Sequence, residues 1–374
     1  AATFYAPFDS YEATRALTGS ARYERPMGDR WSTRFTAAAR RHTDVFTLFR
    51  TNPTPYQNVH LNWQSTLEAV VRGRLRDGLS LAVGGEGFVA TIDSKRRTNG
   101  AIIPALGDRT EQRAAAFGEL AMGSATGATF TSGLRVDWSS VFGTVASPSL
   151  AAMLPVGERV QLRASADRGF RAPTWTDRFY VDPANVADST IGPETFWAGE
   201  LGLRAFPAWG RVDIAAFTRR AVGLIDYARP AGITPPPVWR TYNFARATYV
   251  GLEGQLDLPR VAGAEWTLRG SVLDFTASGT EGFEGKYALR PVIQSYGATA
   301  RIAPWRGALL ALDGRRAARA GEARFSEVNV RLAQDVGRAR LLVDALNLFG
   351  AQYLDASGVP VMGRGVFVGV EVRR

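Results

Sequence analysis

The chain has no cysteine, two histidines and, among its 45 basic residues, only two lysines, Lys95 and Lys286. Without cysteine there are no disulfides and no thiolate metal sites. His42 and His60 are distant in sequence and have no matching carboxylate spacing, so no metal site is predicted. His42 reads as a strand residue, and His60 as the end of a loop. No apolar run approaches the ~18 residues of a membrane helix. That excludes a helical membrane protein but not a membrane barrel, whose strands need only ~9–11 alternating residues. There is no Gly-x-Ser-x-Gly elbow and no phosphate loop. Gly84-Gly85-Glu86-Gly87 falls inside a strand pattern and reads as a bend. Neither catalysis nor a cofactor is predicted. The opening Ala1-Ala2-Thr3-Phe4-Tyr5 has no Met and no basic-then-apolar stretch; if the protein is exported, its signal has been removed.

A net charge of +10 first suggests nucleic acid. The arginines, however, are scattered among strands and turns, so nucleic acid is not predicted as a partner. Anionic lipid headgroups or an anionic ligand suit such a surface better.

Period-two alternation dominates the chain. Gly133-Leu134-Arg135-Val136-Asp137-Trp138, Val160 to Asp167 and Val250 to Leu258 each place charges opposite Leu, Val or Trp. Short turns rich in Gly, Pro and Asp fall at 26–29, 76–78, 124–127, 156–159, 207–210, 259–263, 303–307 and 335–337. Longer connections fall at 51–58, 94–109, 169–193, 228–238, 277–285 and 350–363, with intermediate ones at 142–146 and 314–321. Short turns at one end and long loops at the other mark an outer-membrane barrel. The reading gives about seventeen strands, from about Tyr11–Glu24 to Arg364–Arg373. That count is odd, whereas single-chain bacterial barrels have even numbers. The fold class predicted is therefore all-β, an antiparallel transmembrane β-barrel seen in part. An arginine on the lipid face costs ~2–4 kcal/mol at mid-membrane, so Arg135, Asp137, Arg163, Asp167, Glu200 and Glu253 are predicted to face the lumen. The pairs Glu111/Glu119 and Asp213/Asp226 read as part of the same ionic lattice.

The segment Arg168-Gly169-Phe170-Arg171-Ala172-Pro173 resembles the barrel of TonB-dependent outer-membrane receptors, in which a Phe-Arg-Ala-Pro signature leads into a long extracellular loop. Asp182-Pro183-Ala184-Asn185, Gly192-Pro193-Glu194 and Glu200-Leu201-Gly202 resemble the stretches that follow it. Leu224-Ile225-Asp226-Tyr227, Tyr242-Asn243, Gly251-Leu252-Glu253, Asn347-Leu348-Phe349-Gly350, Tyr353 and Gly363-Arg364 continue the series in order. The opening Phe4-Tyr5-Ala6-Pro7-Phe8 is similar to that of the cobalamin-transporter branch, although siderophore receptors share most of these motifs. The resemblance implies a 22-stranded barrel. Residues 1–374 would be part of that barrel, with an N-terminal plug and about five strands outside them. It further implies TonB-energised uptake of a scarce metal chelate or vitamin (a ferric siderophore or cobalamin) across the outer membrane of a Gram-negative bacterium. The partners implied are the TonB complex acting through the plug, the small-molecule ligand, and outer-membrane lipid with lipopolysaccharide. The ending Val372-Arg373-Arg374 departs from the aromatic terminus usual in that family.

Candidate ligand-binding residues lie in the predicted loops. Lys95, Arg96 and Arg97 attract an anionic chelate. Trp175, Arg178, Phe179 and Tyr180 follow the signature and stack on a planar ligand. Tyr227, Trp239 and Tyr242 flank the Pro235-Pro236-Pro237 loop, a stiff lid. A passive porin or adhesin barrel is the alternative, and a plug and TonB-binding segment encoded upstream would distinguish the two. A soluble sheet protein would fractionate without detergent.

Overall fold

The computed structural model describes residues 8–124, 127–355 and 360–372. Most of the Phe4–Phe8 opening, Ala125 and Thr126 of one predicted turn, and Arg373-Arg374 lie outside the described residues. The strands are β1 (Tyr11–Met27), β2 (Trp31–Thr47), β3 (Tyr56–Arg76), β4 (Leu79–Thr98), β5 (Ala101–Pro104), β6 (Arg109–Gly123) and β7 (Thr129–Ser139). They continue as β8 (Gly143–Val156), β9 (Val160–Arg171), β10 (Asn185–Val186), β11 (Glu194–Ala205), β12 (Arg211–Pro230), β13 (Trp239–Val261) and β14 (Ala264–Ser278). The last are β15 (Phe283–Gly285), β16 (Val292–Ile302), β17 (Ala308–Arg319), β18 (Phe325–Val336), β19 (Ala339–Leu346) and β20 (Gly365–Val372). Among the described residues no helix is long and apolar enough to cross a membrane.

Seventeen of these strands are long, and each pairs antiparallel with its neighbour along the chain. The short β5, β10 and β15 belong to the long connections. β5 adds to the end of β4, β15 to the end of β12, and β10 runs parallel to β13 for two residues. Connections at one end have two to five residues, as at 77–78 and 206–210. At the other end they reach the 172–193 segment. The sorting has two exceptions: the β7–β8 connection is only residues 140–142, and the β17–β18 connection only residues 320–324. Two predicted boundaries also move. Lys95-Arg96-Arg97 and His60 were expected in or beside loops but lie within β4 and β3, because those strands extend past the apolar band. Among the described residues β1 pairs only with β2 and β20 only with β19, so the sheet keeps two free edges.

Alternation sets the two faces of the wall. In β7, Leu134, Val136 and Trp138 are exposed outward, while Arg135 and Asp137 are turned to the other side. Leu201, Leu203, Ile214, Val250 and Leu252 continue the exposed apolar face across β11 to β13. Backbone groups satisfied entirely between strands suit hydrocarbon. Inward, the charges pair. Arg135 meets Asp137 at 2.8 Å and Glu86 at 3.2 Å. Arg163 meets Glu200 at 2.8 Å and Asp213 at 2.5 Å, and Arg204 meets the same Asp213 at 2.6 Å. Gly202 makes this possible: a Cβ there would lie 2.6 Å from the Arg163 guanidinium, which crosses β11 at that point. The lattice borders a cavity of about 600 Å³ that also takes in Glu253, Arg269 and Asp313.

Candidate functional site

The signature loop is built locally. β9 ends at Arg171, and Ala172-Pro173 stops the strand. Thr174 then caps a short helix, α1 (Trp175–Phe179). The Thr174 hydroxyl accepts from the Asp177 amide at 3.0 Å, and the Asp177 carboxylate accepts from the Thr174 amide at 2.9 Å. This reciprocal pair is a capping box. Arg171 donates to the same carboxylate at 3.1 Å, and the Tyr227 hydroxyl donates to the Thr176 carbonyl at 2.7 Å. The motif residues thus turn the chain back over the mouth.

After α1 the loop's acids are all engaged within the loop. Asp182 accepts from the Ala184 amide, the Asn185 amide and side chain, and the Tyr180 hydroxyl. Asp188 accepts from Thr190. The mouth arginines are therefore left without carboxylates. Arg109, the first residue of β6, sits 3.3 Å from the centre of the Phe179 ring, and Arg178 sits 4.9 Å from the same centre. Arg109 donates to the Leu106 carbonyl and Arg178 to the Ser189 carbonyl. Arg96 donates to the Asn58 side chain and to the Val181 carbonyl, and lies 5.4 Å from the Tyr56 ring. None of the three has a carboxylate within ion-pair distance among the described residues. Burial, and then the charge of Arg178, push the Arg109 guanidinium below its ordinary range. Their distances to the shared ring put the two charges at most about 8 Å apart, where they repel by roughly 2 kcal/mol or more at an effective dielectric near 20. The ring they share offsets part of this by cation–π attraction.

A second cluster pins the neighbouring loops. Lys286 is 8% exposed and donates to Asn185 at 2.7 Å. Its ammonium lies 5.4–5.8 Å from the rings of Tyr227, Trp239 and Tyr287, and burial lowers its pKa. Asp226 accepts from the Tyr287 and Leu289 amides, and burial raises its pKa to about 6. Both lie beyond Val222, the last exposed apolar residue of β12. Above that point Leu224, Phe244, Phe283 and Leu289 gather in one apolar cluster.

The predicted residues divide accordingly. Arg96 and Arg178 come to the mouth, joined by Arg109, which the sequence reading missed because it looked like an ordinary strand start. Lys95 and Arg97 do not join Arg96. Alternation in β4 turns them to the opposite face, where Lys95 pairs with Asp93 at 2.8 Å. Trp175 is half-buried on α1, and Tyr180 is held by Asp182. Tyr227 and Tyr242 were expected to face a ligand but face protein. Tyr227 is 6% exposed, and Tyr242 packs against Phe244 and Phe283. Arg135, Asp137, Arg163 and Glu200 lie in the inward lattice, with Asp167 and Glu253 on the same face. His60 sits 2.7 Å from the Ser94 hydroxyl and takes part in no group able to hold a metal among the described residues.

A many-stranded wall, apolar outside and ionic inside, with a folded loop roofing one end, defines a transmembrane β-barrel. The family model "TonB dependent receptor-like, beta-barrel" matches residues 1–356, and the chain belongs to that family. Over 120 residues, 32% of this chain and 19% of the other, it is 30% identical to the vitamin B12 transporter BtuB of Vibrio vulnificus. It also resembles the solved siderophore receptor PirA of Pseudomonas aeruginosa, with a TM-score of 0.68 and 16% identity over 96% of this chain and 70% of that one. The copper transporter OprC gives a TM-score of 0.79 at 14% identity, over 96% of this chain and 65% of that one. These two structural likenesses bear on the fold alone. The family consists of transporters and receptors rather than enzymes.

Proposed function

We propose that the chain forms most of the barrel of an outer-membrane receptor that takes up an anionic metal chelate, driven through TonB. The carrying observation is Arg109 and Arg178 against the Phe179 ring, with Arg96 bonded to the Val181 carbonyl of the same loop, all three cationic and without carboxylate partners among the described residues. A multiply charged chelate with planar rings relieves the repulsion between them and stacks on the exposed faces of the guanidinium groups and ring. The free edges of β1 and β20 support further strands, about five, in the whole protein, since each unsatisfied backbone group costs several kcal/mol in lipid. The inward lattice of Arg135, Arg163, Glu200 and Glu253 suits contact with a plug domain, on which TonB pulls. Outer-leaflet lipopolysaccharide surrounds the apolar face.

The alternative cargo, a neutral vitamin, is favoured by the similarity to the B12 transporter. Binding titrations on the full-length receptor separate the two. An anionic ferric catecholate should bind, and the R109A/R178A variant should lose at least tenfold in affinity, since each charged hydrogen bond contributes roughly 1.5–3 kcal/mol. Tight binding of cobalamin that is indifferent to the double variant would refute the anionic reading. Uptake that persists after collapse of the proton gradient would refute energised transport.

A further inference from the structure

Lys286 is buried and bonded to no carboxylate among the described residues, and it lies outside the cluster of mouth arginines. A buried charge is costly unless its surroundings hold it. Its own segment fixes its place. The Lys286 amide donates to the Tyr227 carbonyl at 2.8 Å, and the next amide, that of Tyr287, donates to the Asp226 carboxylate at 3.0 Å. A Cβ at Gly285 would meet the Leu289 side chain and lie 2.8 Å from that carboxylate, so the chain passes there as glycine. The ammonium ends among the rings of Tyr227, Trp239 and Tyr287, which stabilise it by cation–π attraction. Asp182 and Asp226 favour its charge, and Arg229 opposes it.

Its side-chain hydrogen bond leads to the mouth. Lys286 Nζ donates to Asn185 Oδ1 at 2.7 Å, across 101 residues of sequence. Asn185 Nδ2 donates in turn to both oxygens of Asp182, at 2.9 and 3.1 Å. The carboxamide therefore has a cation at its oxygen and an anion at its nitrogen. Its dipole is favoured at both ends, and each bond polarises the next. Asp182 also accepts from the Tyr180 hydroxyl at 2.9 Å, and the Tyr180 carbonyl accepts from the Ala187 amide at 2.8 Å. The chain of bonds thus ends on the turn that directly follows Phe179. Residues 178–182 are where the mouth arginines gather. Arg178 belongs to them, Arg109 lies against Phe179, and Arg96 donates to the Val181 carbonyl.

We propose that Lys286 is a positioning residue for the cargo site. Through Asn185 and Asp182 it fixes residues 178–182 in the arrangement that brings Arg96, Arg109 and Arg178 together, without itself touching cargo. This rests on the anionic-chelate reading above.

The test is titration of the full-length receptor with the ferric catecholate. K286M keeps an unbranched side chain among the rings but removes the charge and the donor, and N185A removes the acceptor from the loop side. Each should weaken binding roughly tenfold, about the worth of one hydrogen bond to a charged group. K286M/N185A should lose no more than the worse single variant, since both act through one bond. In the R109A/R178A background K286M should weaken binding less than twofold, because the groups it positions are gone. A merely structural role would weaken both backgrounds alike. Wild-type affinity in K286M, or a full tenfold further loss in the R109A/R178A background, would overturn the proposal. Hydrogen exchange without cargo separates this inference from the reading it rests on. Amides across residues 178–187 should exchange faster in K286M and N185A, while those from Ser132 to Trp138 stay unchanged and establish that the barrel is folded. A wild type that ignores the catecholate would sink the anionic reading, and the exchange result would still decide whether Lys286 fixes the loop, unchanged exchange overturning it. A wild type that binds the catecholate, with K286M indistinguishable from it, sinks this inference alone.

Discussion

In the barrel wall Arg135, Arg163 and Arg204 each lie 2.5–2.8 Å from a carboxylate, whereas at the mouth Arg96, Arg109 and Arg178 donate to carbonyl and amide oxygens. The difference follows from where the acids are. In the wall, alternation places acid and base on one face of adjacent strands, and the register brings them together. In the mouth the acids Asp177, Asp182 and Asp188 are all drawn into capping and turning the loop. Structure in the loop is built with carboxylates, which leaves the cations uncompensated. The wall neutralises itself, while the mouth retains charge for something else to neutralise.

The comparison breaks most severely if the apolar face of the wall is charged. L201R puts an unpaired cation on a residue that is 68% exposed on that face, and should destabilise the inserted barrel by about 2–4 kcal/mol in chemical unfolding. The same substitution at Thr248, on the rung where that face already carries Arg220, should have a much smaller effect.

Asp226 is the converse of the mouth arginines: a buried carboxylate held by backbone amides rather than by a bonded cation. Burial raises its pKa in the folded state to about 6, above the unfolded value. The folded loop therefore binds the proton more tightly, and docking of the 279–291 segment weakens as pH rises from about 4 through 6. The swing is on the order of 2–3 kcal/mol. Hydrogen exchange at the Tyr287 and Leu289 amides, corrected for intrinsic rates, should be slower at pH 5 than at pH 7, and D226N should remove the dependence. An equal dependence in D226N would assign the effect elsewhere.

Within the lattice, R163A strands Glu200 and leaves Asp213 with Arg204 alone, and should cost about 1–3 kcal/mol. A double-mutant cycle with E200Q should recover part of the loss; a purely additive cycle would mean that the pair is not coupled. The smallest effect on stability is expected at the mouth. R178A should leave the unfolding midpoint within error or raise it slightly by relieving repulsion with Arg109, since its own bonds reach only the Ser189 carbonyl. A clear loss of stability would show that the mouth arginines are structural.

The wall was legible in the sequence because its signal is local. A strand that alternates Leu134, Arg135, Val136 and Asp137 declares its faces within four residues, and the turns between strands carry their own glycines. The seventeen long strands and the inward position of Arg163 and Glu253 follow from that period. The mouth was only half legible. Thr174 and Asp177 sit in a motif, but the meeting of Arg96 with Val181, 85 residues away, has no periodic trace. Three consecutive basic residues read as one patch until the extension of β4 splits Arg96 from Lys95 and Arg97 across the wall. Tyr227 and Tyr242 look like ligand-facing aromatics because the loop that buries them comes some 40 to 60 residues later, at Phe283 to Tyr287.

The partition of the wall into an apolar and an ionic face carries the rest of the account, and site-directed spin labelling tests it most directly. Residues 1–374 hold no cysteine, so a cysteine introduced at each position from Ser132 to Trp138, in a full-length receptor with any cysteine outside these residues replaced, is the sole attachment point. In bilayers, labels at Leu134, Val136 and Trp138 should be relaxed by oxygen, and those at Gly133, Arg135 and Asp137 by a water-soluble nickel chelate, alternating residue by residue. Oxygen preference at Arg135 and Asp137, or no alternation at all, would contradict it.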